Sequence, residues 1–178
     1  METQEMRTMT ESTPAKAASQ KVDQRAGKYL TFGLGNEEFA VQVLRVREIM
    51  GIQEITAVPQ TPHYVKGVIN LRGKVIPVVD LRLKFALPEV EYTQRTSIIV
   101  AQIEGASRKL LIGIVVDGVS EVLTLQANDI EDTPDFGCGV EIPYIMGMAK
   151  IKGKVKILLD INMVFSSQEV QGLSGMAG

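Results

Sequence analysis

The chain has no tryptophan, a single cysteine and a single histidine, and aromatic residues make up only 5% of its 178 positions. One cysteine cannot form an intrachain disulfide. One cysteine with one histidine also cannot supply the four ligands of a structural zinc site. The net charge of −2 argues against a protein that coats nucleic acid. Disulfide-stapled, zinc-centred and polyanion-coating classes are therefore disfavoured from the start.

Long apolar runs are also missing. The longest, residues 110–116, is far shorter than the roughly 20 residues of a membrane-spanning helix. Residues 1–26 contain no apolar core of the kind found in a signal peptide. We therefore expect a cytoplasmic protein with a disordered tail at residues 1–26. Residues 167–178 are expected to be a second flexible tail, in which Val170 and Leu173 offer local apolar contacts.

From residue 28 onward the sequence consists of short β-branched runs separated by glycine, asparagine and proline. This texture, without a long 3.6-residue periodicity, is typical of small all-β barrels. Ten strands are expected, at residues 29–32, 38–43, 46–50, 65–71, 75–79, 97–103, 109–116, 119–124, 144–151 and 155–159.

An internal repeat is the most informative feature of the sequence. Residues 67–85 align without a gap to residues 147–165, with identities at six of nineteen positions that include two glycines and an aspartate. A weaker similarity in the same order relates residues 39–50 to residues 112–123. The chain is therefore interpreted as a duplicated unit of about 70 residues. Asp80 and Asp160, at equivalent places, are each predicted to cap a short helical turn.

Catalytic motifs are not evident. His63 has no partner that the sequence identifies, and Cys138 lies between two glycines without a neighbouring cation to lower its thiol pKa. Glu48 and Glu121 are repeat equivalents, so they are expected to recur for folding. We predict that the chain is not an enzyme, and catalysis by Cys138 or His63 is kept as a hypothesis of a different class.

A nucleic-acid-binding small barrel is the second alternative. Basic residues gather around one strand pair, but the residues between them are aliphatic, whereas barrels that bind single strands interleave aromatic stacking platforms. The basic residues are Lys66, Arg72, Lys74, Arg82 and Lys84.

Three segments carry a resemblance to a known family. They are EFAVQVLRVREI at residues 38–49, GVINLRGKVIPVVDLR at residues 67–82 and GIVVDGVSEV at residues 113–122. Together they closely resemble the CheW family of chemotaxis coupling proteins, and the likeness extends over about residues 28–165.

The resemblance implies a non-enzymatic adaptor without cofactor or metal. Its fold would be all-β: two SH3-like five-stranded β-barrel subdomains with short helical turns. A CheW-like domain at residues 27–166 would comprise subdomain 1 at about 28–88 and subdomain 2 at about 94–166, with an exchange of chain ends between the barrels left open. The implied partners are the cytoplasmic tip of a chemoreceptor and the regulatory domain of the histidine kinase CheA. No nucleic acid is implied, and the membrane is reached only through receptor arrays.

The resemblance also implies site residues. A receptor groove between the barrels would involve Val46, Glu48, Arg72, Ser97, Gly113 and Val119. Arg72 offers a planar charged fork suited to a carboxylate. Its alternative role is an internal pair with Glu48. Gly67 and Gly147 are implied at the kinase-binding face, with a turn or packing role as the alternative.

Overall fold

The computed structural model describes residues 24–105, 108–132 and 142–177, and this part of the chain contains eleven strands. The strands are β1 (Gly27–Leu34), β2 (Glu37–Gln42), β3 (Val46–Gly51), β4 (Val65–Leu71), β5 (Lys74–Asp80), β6 (Ser97–Glu104), β7 (Lys109–Val116), β8 (Gly118–Leu125), β9 (Ile130–Glu131), β10 (Ile145–Ile151) and β11 (Lys154–Leu159). The helices are α1 (Leu81–Lys84) and α2 (Ser167–Met176), with 3-10 turns at Val43–Arg45, Ala127–Asp129 and Ile161–Met163. All ten predicted strands are present.

The strands form two sheets with the same internal plan. The first sheet has the order β3-β6-β7-β5-β4, and the second has the order β8-β1-β2-β11-β10-β9. In each sheet one parallel pair, β5 with β7 or β11 with β2, joins antiparallel neighbours. The all-β prediction is therefore confirmed, and so is the duplication, because β4-β5 and β10-β11 occupy equivalent places. The second sheet has six strands where five were expected, since the two-residue β9 adds to its edge.

The subdomains were predicted at about 28–88 and 94–166, with an exchange of chain ends left open, and the structure shows such an exchange for the first two strands. The first sheet takes residues 46–116, whereas the second takes the first two strands of the chain together with residues 118–159. The reason is that the β1–β2 hairpin fills in the second sheet the place that the β6–β7 hairpin fills in the first. The chain crosses between the sheets at Val43–Arg45 and again at Asp117.

Each sheet curls into a barrel because one segment of chain pairs at both of its edges. In the first sheet β3 forms one edge, and Thr56, only five residues after β3, bridges Val68 of β4 at the other edge. In the second sheet β8 and β9 form the two edges and are joined by residues 126–129. We refer to the two closed sheets as barrel I and barrel II.

Two glycines make this closure sterically feasible. Gly67 has φ +142°, and a β-carbon there would lie 2.0 Å from the carbonyl oxygen of Thr56. A β-carbon at Gly147 would lie 2.8 Å from the carbonyl oxygen of Glu131 in β9. Both positions fall where a β-bulge shifts the hairpin register. Backbone approaches backbone at these two points, so only a residue without a side chain fits.

Three apolar clusters fill the molecule. The interior of barrel I contains Ile69, Ile76, Val78, Ile98, Val100 and Val115. The interior of barrel II contains Tyr29, Ala40, Leu125, Ile130, Ala149 and Leu158. The largest cluster, here called the central core, lies between the barrels. It draws on β1, β2 and β11 from barrel II, on β4 to β7 from barrel I, and on Leu173 from α2.

Helical turns follow the equivalent strands of both repeats, as predicted. The Asp80 carboxylate accepts a hydrogen bond of 2.9 Å from the backbone N–H of Arg82. The Asp160 carboxylate accepts one of 3.1 Å from the N–H of Asn162. Asx capping of this kind satisfies a donor that the first turn leaves free, so the two aspartates recur because each repeat ends in the same way.

The predicted flexible C-terminal tail is wrong for residues 167–176, which form α2. Ser166 caps this helix in a reciprocal capping box with Glu169, and Leu173 is buried in the central core. The helix follows barrel II but is fastened to barrel I. Glu169 Oε2 accepts hydrogen bonds of 2.6 Å from both the Tyr64 hydroxyl and Lys84 Nζ. The capping box and the apolar spacing of Val170 and Leu173 together explain the order of this segment.

The predicted N-terminal tail also ends earlier than expected. Arg25 Nη1 donates to the carbonyl oxygen of Met146 at 2.9 Å and forms an ion pair of 3.1 Å with Asp132. Residues 1–23 lie outside the described residues.

The closure glycines lead to a test of stability. We expect Gly67→Ala to lower the free energy of unfolding by about 3 kcal/mol, because the added β-carbon must displace the backbone at Thr56 and adopt a strained φ. Urea denaturation followed by circular dichroism measures the change. Gly33→Ala is the matched control, a strand glycine with nothing within 4 Å of its β-carbon position. Similar stability for the two variants would contradict the closure argument.

The hydrogen bonds that Glu169 of α2 accepts from Tyr64 and Lys84 lead to a test of how stability depends on pH. Burial opposes ionisation of Glu169, but hydrogen bonds from Lys84, the Ser166 N–H and Tyr64 outweigh it and lower its pKa from 4.5 to about 2. The ionised carboxylate therefore stabilises the fold above pH 4.5, and this contribution is lost as the pH falls toward 2. We expect Glu169→Gln to cost about 2 kcal/mol at pH 7 and progressively less below pH 4.5.

Urea unfolding of Glu169→Gln and of the parent chain between pH 7 and pH 2.5 measures this effect. Glu91→Gln, at an exposed position, is the control and should change stability little at any pH. A loss from Glu169→Gln that does not vary with pH would show that the carboxylate charge is not what holds the helix.

Candidate functional site

Five of the six residues predicted for a receptor groove lie on barrel I. Val46 and Glu48 are on β3, Arg72 is in the β4–β5 turn, Ser97 is on β6 and Gly113 is on β7. The sixth, Val119, lies on β8 of barrel II opposite Phe32. The structure thus concentrates the predicted site on the β3–β6–β7 side of barrel I and adds one residue from the other barrel.

Arg72 and Glu48 meet at the tip of the β4–β5 hairpin. Arg72 Nη2 lies 2.7 Å from Glu48 Oε1, with 73% of the arginine side chain exposed and 29% of the glutamate. Positive φ at both Arg72 and Gly73 gives a two-residue turn of the type that suits a twisted hairpin. Asn70 Oδ1 accepts the Gly73 N–H at 2.8 Å and fixes the turn further. The internal pair foreseen as the alternative role is present, and the rest of the guanidinium faces solvent.

Val46 and Val119 are equivalent in the repeat and are placed equivalently in the fold. Each lies on the edge strand of its own barrel and packs, partly buried, against the central core. Val46 and Val119 therefore lie at the edge of the central core. The sequence prediction of apolar walls at these two positions agrees with this placement.

Two further apolar residues on the same strands were missed. Ile49 is 46% exposed and Val122 is 55% exposed, and they too are separated by the 73-residue spacing of the weaker repeat. In the strand register Ile49 lies opposite Ile99 and Val122 opposite Leu30, and both partners belong to the central core. Directly opposite side chains share a face of an antiparallel pair. Ile49 and Val122 therefore emerge on the faces that the barrels turn toward each other, and the repeat spacing was the signal that could have identified them.

Ser97 and Gly113 are placed less favourably for direct contact. Ser97 is half-buried at the end of β6, and its hydroxyl donates to the Arg95 carbonyl at 3.0 Å. Gly113 is buried within β7, and a β-carbon there would come within 3.0 Å of Ile98 Cγ2 and 3.4 Å of Val78 Cγ2. Gly113 thus serves the packing of the barrel I interior.

The predicted kinase-face glycines, Gly67 and Gly147, are likewise buried. Their packing role is explained by barrel closure, as described above. Any contact with a partner at these points would involve the hairpins that they close rather than the glycines themselves.

An ion pair fixes the junction of the two barrels. Arg82 of α1 holds Asp117 through two contacts of 2.7 Å, from Nε to Oδ1 and from Nη2 to Oδ2. The Gly35 N–H of the β1–β2 turn donates to the same carboxylate at 2.7 Å. Burial opposes ionisation of Asp117, but the Arg82 and Gly35 hydrogen bonds outweigh it and lower the pKa of Asp117. Both barrels thus share one charged anchor at a crossing of the chain.

The remaining predictions concern metal, cysteine and histidine chemistry. Within residues 24–105, 108–132 and 142–177, no group of three or more histidine, cysteine, aspartate or glutamate side chains is arranged to hold a metal ion. His63 is exposed, with its ring edge-on to Tyr64 at 5.8 Å between centroids. Cys138 lies outside the described residues. No helix in the described part is both long and apolar enough to cross a bilayer.

Comparison with known proteins bears on this site and fold. The model of the CheW-like domain family matches residues 28–169. The chemotaxis protein CheW of Klebsiella aerogenes is 39% identical over 166 residues, covering 93% of this chain and 96% of its own length. The chemotaxis protein CheW of Rhizobium meliloti is 39% identical over 140 residues, covering 79% of this chain and 88% of that protein.

A solved structure agrees with these sequence relatives. The crystal structure of the scaffolding protein TtCheW from Thermoanaerobacter tengcongensis superposes with a TM-score of 0.70 at 30% identity, covering 81% of this chain and 97% of that one. Family model, sequence relatives and fold agree over nearly all of the described residues, and the chain belongs to the CheW-like domain family.

Proposed function

We propose that this chain is a non-enzymatic scaffold of chemotaxis that couples the cytoplasmic tip of a chemoreceptor to the regulatory domain of the histidine kinase CheA. Relatives of the same length are named chemotaxis proteins, and the similar solved structure is named a scaffolding protein. The observation that carries the proposal is the ion pair between the exposed Arg72 and Glu48, which lies on the same edge strand as Val46 and Ile49. Such a surface can grip another polypeptide.

The proposed receptor surface combines exposed or partly buried apolar residues with one charged side chain. Receptor tips are helical hairpins, and a helix is commonly held by apolar residues that accept one of its faces. Val46, Ile49, Val119 and Val122 supply these apolar residues. Arg72 adds a charged fork that suits a carboxylate or the terminal carbonyls of a helix. Ser97 and Gly113 support this surface from within barrel I.

The kinase would bind at the bases of the β4–β5 and β10–β11 hairpins, where Gly67 and Gly147 lie, at the opposite end of each hairpin from its turn. A contact of micromolar affinity corresponds to about 8 kcal/mol. One scaffold that holds both partners raises their effective concentration without tighter contacts. A scaffold of this kind resides in the cytoplasm and meets the membrane only through receptor arrays.

The nucleic-acid-binding alternative finds no support. Every phenylalanine and tyrosine side chain in the described part of the chain is buried or half-buried, so none offers a stacking platform. Several of the basic residues that suggested it have acidic partners: Lys66 with Glu89, Arg72 with Glu48, Arg82 with Asp117 and Lys84 with Glu169.

The role of Arg72 can be measured directly. We expect Arg72→Ala to weaken binding of a receptor-tip fragment about tenfold, because a hydrogen bond to a charged group is worth about 1.5–3 kcal/mol. Receptor-dependent stimulation of CheA autophosphorylation should fall in parallel. Lys74→Ala, at the other end of the same turn, is the control and should change both quantities little.

A charge swap separates the two roles of Arg72. The double variant Arg72→Glu with Glu48→Arg keeps an ion pair at the hairpin and should retain the melting temperature of the parent chain. Receptor binding should nevertheless stay weak, because a negative charge then stands where the receptor meets a positive one. Full binding by the double variant would assign Arg72 a purely internal role. Failure of the parent chain to bind receptor tip or CheA would reject the proposed function.

A further inference from the structure

Helix α2 is held in place by the rest of the protein more than by its own sequence. It has ten residues, and two of them are Gly172 and Gly175. Isolated helices of fewer than about 12 residues are marginal in water, and glycine is among the poorest helix formers. Beyond the capping box at its start, the segment therefore depends on its contacts with barrel I to remain helical.

The contacts that hold α2 are few and lie along one side of the helix. Leu173 is the only buried residue within α2, all of which the structure describes. One turn earlier, Glu169 accepts the two hydrogen bonds from barrel I described above. In the last turn, Arg108 Nη2 donates to the carbonyl oxygen of Ser174 at 3.2 Å and to its hydroxyl at 3.0 Å, at an exposed position. A carboxylate and an apolar side chain four residues later, on the same face, are thus the two main anchors.

A groove next to these anchors shows that α2 is not fully packed against barrel I. The groove has a volume of about 310 Å³ and lies between the helix and residues 60–65, with Pro62, Val65, Gly172 and Met176 among its walls. A β-carbon added at Gly172 would have nothing within 4 Å. Atoms that face a gap lack the dispersion contacts of a packed interface. The attachment of α2 therefore depends mainly on its two anchors.

Neither barrel needs α2 in order to close. Both sheets are closed by strands and by residues 52–56 and 126–129, none of which belongs to α2. Val164 and Phe165, which precede the helix, are buried in the central core. Ser166, the next residue, is exposed and has an extended backbone. The helix can therefore detach at Ser166 while the chain before it stays in place.

The surface beneath α2 is complementary to a helix of this kind. Lys84 Nζ lies 4.9 Å from the ring centroid of Tyr64 and 5.7 Å from that of Phe165. These cation–π contacts keep the ammonium group in position when Glu169 leaves. Detachment uncovers this cation, the hydroxyl of Tyr64 and the apolar pocket of Leu173. Such an arrangement suits a helix with a carboxylate at one position and an apolar side chain four residues later.

We propose that α2 is a displaceable intramolecular ligand. Barrel I carries a binding site for a short helix with an acidic residue four positions before an apolar one, and α2 occupies this site and leaves it while both barrels stay folded. Local opening that breaks few buried contacts requires less free energy than global unfolding. Because α2 is covalently attached beside its site, its effective concentration there is high, and it occupies the site most of the time. The inference does not depend on the partners proposed above.

Hydrogen exchange in the native state tests whether α2 detaches on its own. Exchange of the amides of residues 170–176 and of strands β5 to β7 is measured by mass spectrometry in the full parent chain and in Ile98→Val. Ile98 lies in the interior of barrel I, so this variant destabilises the barrel without touching the α2 site. We expect α2 to exchange about 100-fold faster than the strands in the parent chain. Ile98→Val should accelerate exchange of the strands about fivefold and leave that of α2 unchanged.

Two results of this experiment would overturn the inference. One is the same acceleration of α2 and the strands in Ile98→Val, because the helix would then open only when the whole chain unfolds. The other is equal protection of α2 and the strands in the parent chain, for the same reason.

A peptide tests whether the site accepts a separate helix. The full chain carrying Glu169→Gln and Leu173→Ala lacks both anchors, so its own α2 should leave the site open. A peptide with the sequence of residues 166–177 is added, and the amide signals of Tyr64, Val65 and Lys84 are followed by NMR. We expect saturable shifts of these signals. The same peptide with Glu169→Gln should bind about tenfold more weakly.

The control peptide carries Gln171→Ala, at an exposed position of α2, and should bind like the parent peptide. Circular dichroism establishes that the double variant is folded, and Leu173→Ala alone takes its place in the titration if it is not. Absence of any shift in the folded variant, or equal binding by the Glu169→Gln and parent peptides, would contradict a site of this chemistry.

Discussion

The central core between the two barrels is the feature on which the rest of the structure depends. Each barrel buries one face of its sheet in its own interior and the other face in this shared layer. Because both barrels contribute buried residues to this layer, neither barrel can be removed without exposing the layer to water. Arg82, Asp117 and Glu169 then fix the barrels at the rim of that layer. Surfaces on both barrels are thereby held in one frame.

The shared core suggests how a scaffold that catalyses no reaction can transmit a signal between its partners. The β4–β5 hairpin of barrel I and the β10–β11 hairpin of barrel II are repeat equivalents, each built on a tight turn and each closed by a glycine at its base. A partner that tilts one hairpin moves a sheet packed against the central core. Close-packed interiors transmit such displacements instead of absorbing them. The proposed coupling therefore needs only two docking surfaces and a core that does not yield.

Much of the fold follows from local sequence signals. The ten strands, the two aspartate caps and the duplication were predictable because alternation, turn residues and repeat identities are local. The division of strands between barrels was not, since it depends on which distant hairpin completes each sheet. The two-residue β9 is too short to show the alternation of apolar and polar residues that predicts a strand. The polar composition around helix α2 is typical of a flexible tail, and the only local signal for the helix is the capping box of Ser166 and Glu169.

The residues of the candidate site were likewise predictable only where the signal is local in the sequence. Arg72 with Glu48 was foreseen as a pair, whereas Ile49 and Val122 were missed because an aliphatic residue on a strand is normally interpreted as core. Gly67 and Gly147 were selected by resemblance, but the close approach of two backbones that makes them necessary is visible only in three dimensions. The burial of Lys156 was also not predictable from the sequence. Four lysines alternate along residues 150–156, and nothing local shows that Lys156 alone points into the barrel, at the position that Ile76 occupies in barrel I.

The order of the strands along the chain also determines when each strand meets its pairing partner during translation. Barrel I is encoded by one uninterrupted stretch and can close while the ribosome is still translating the remainder. The β1–β2 hairpin precedes barrel I in the chain, yet β1 pairs with β8 and β2 with β11, both of which follow barrel I. At 5–20 residues per second, a delay of about 6–25 seconds separates β2 from its partner. During that interval the outer edges of both strands of the hairpin lack the partners that they have in the folded protein.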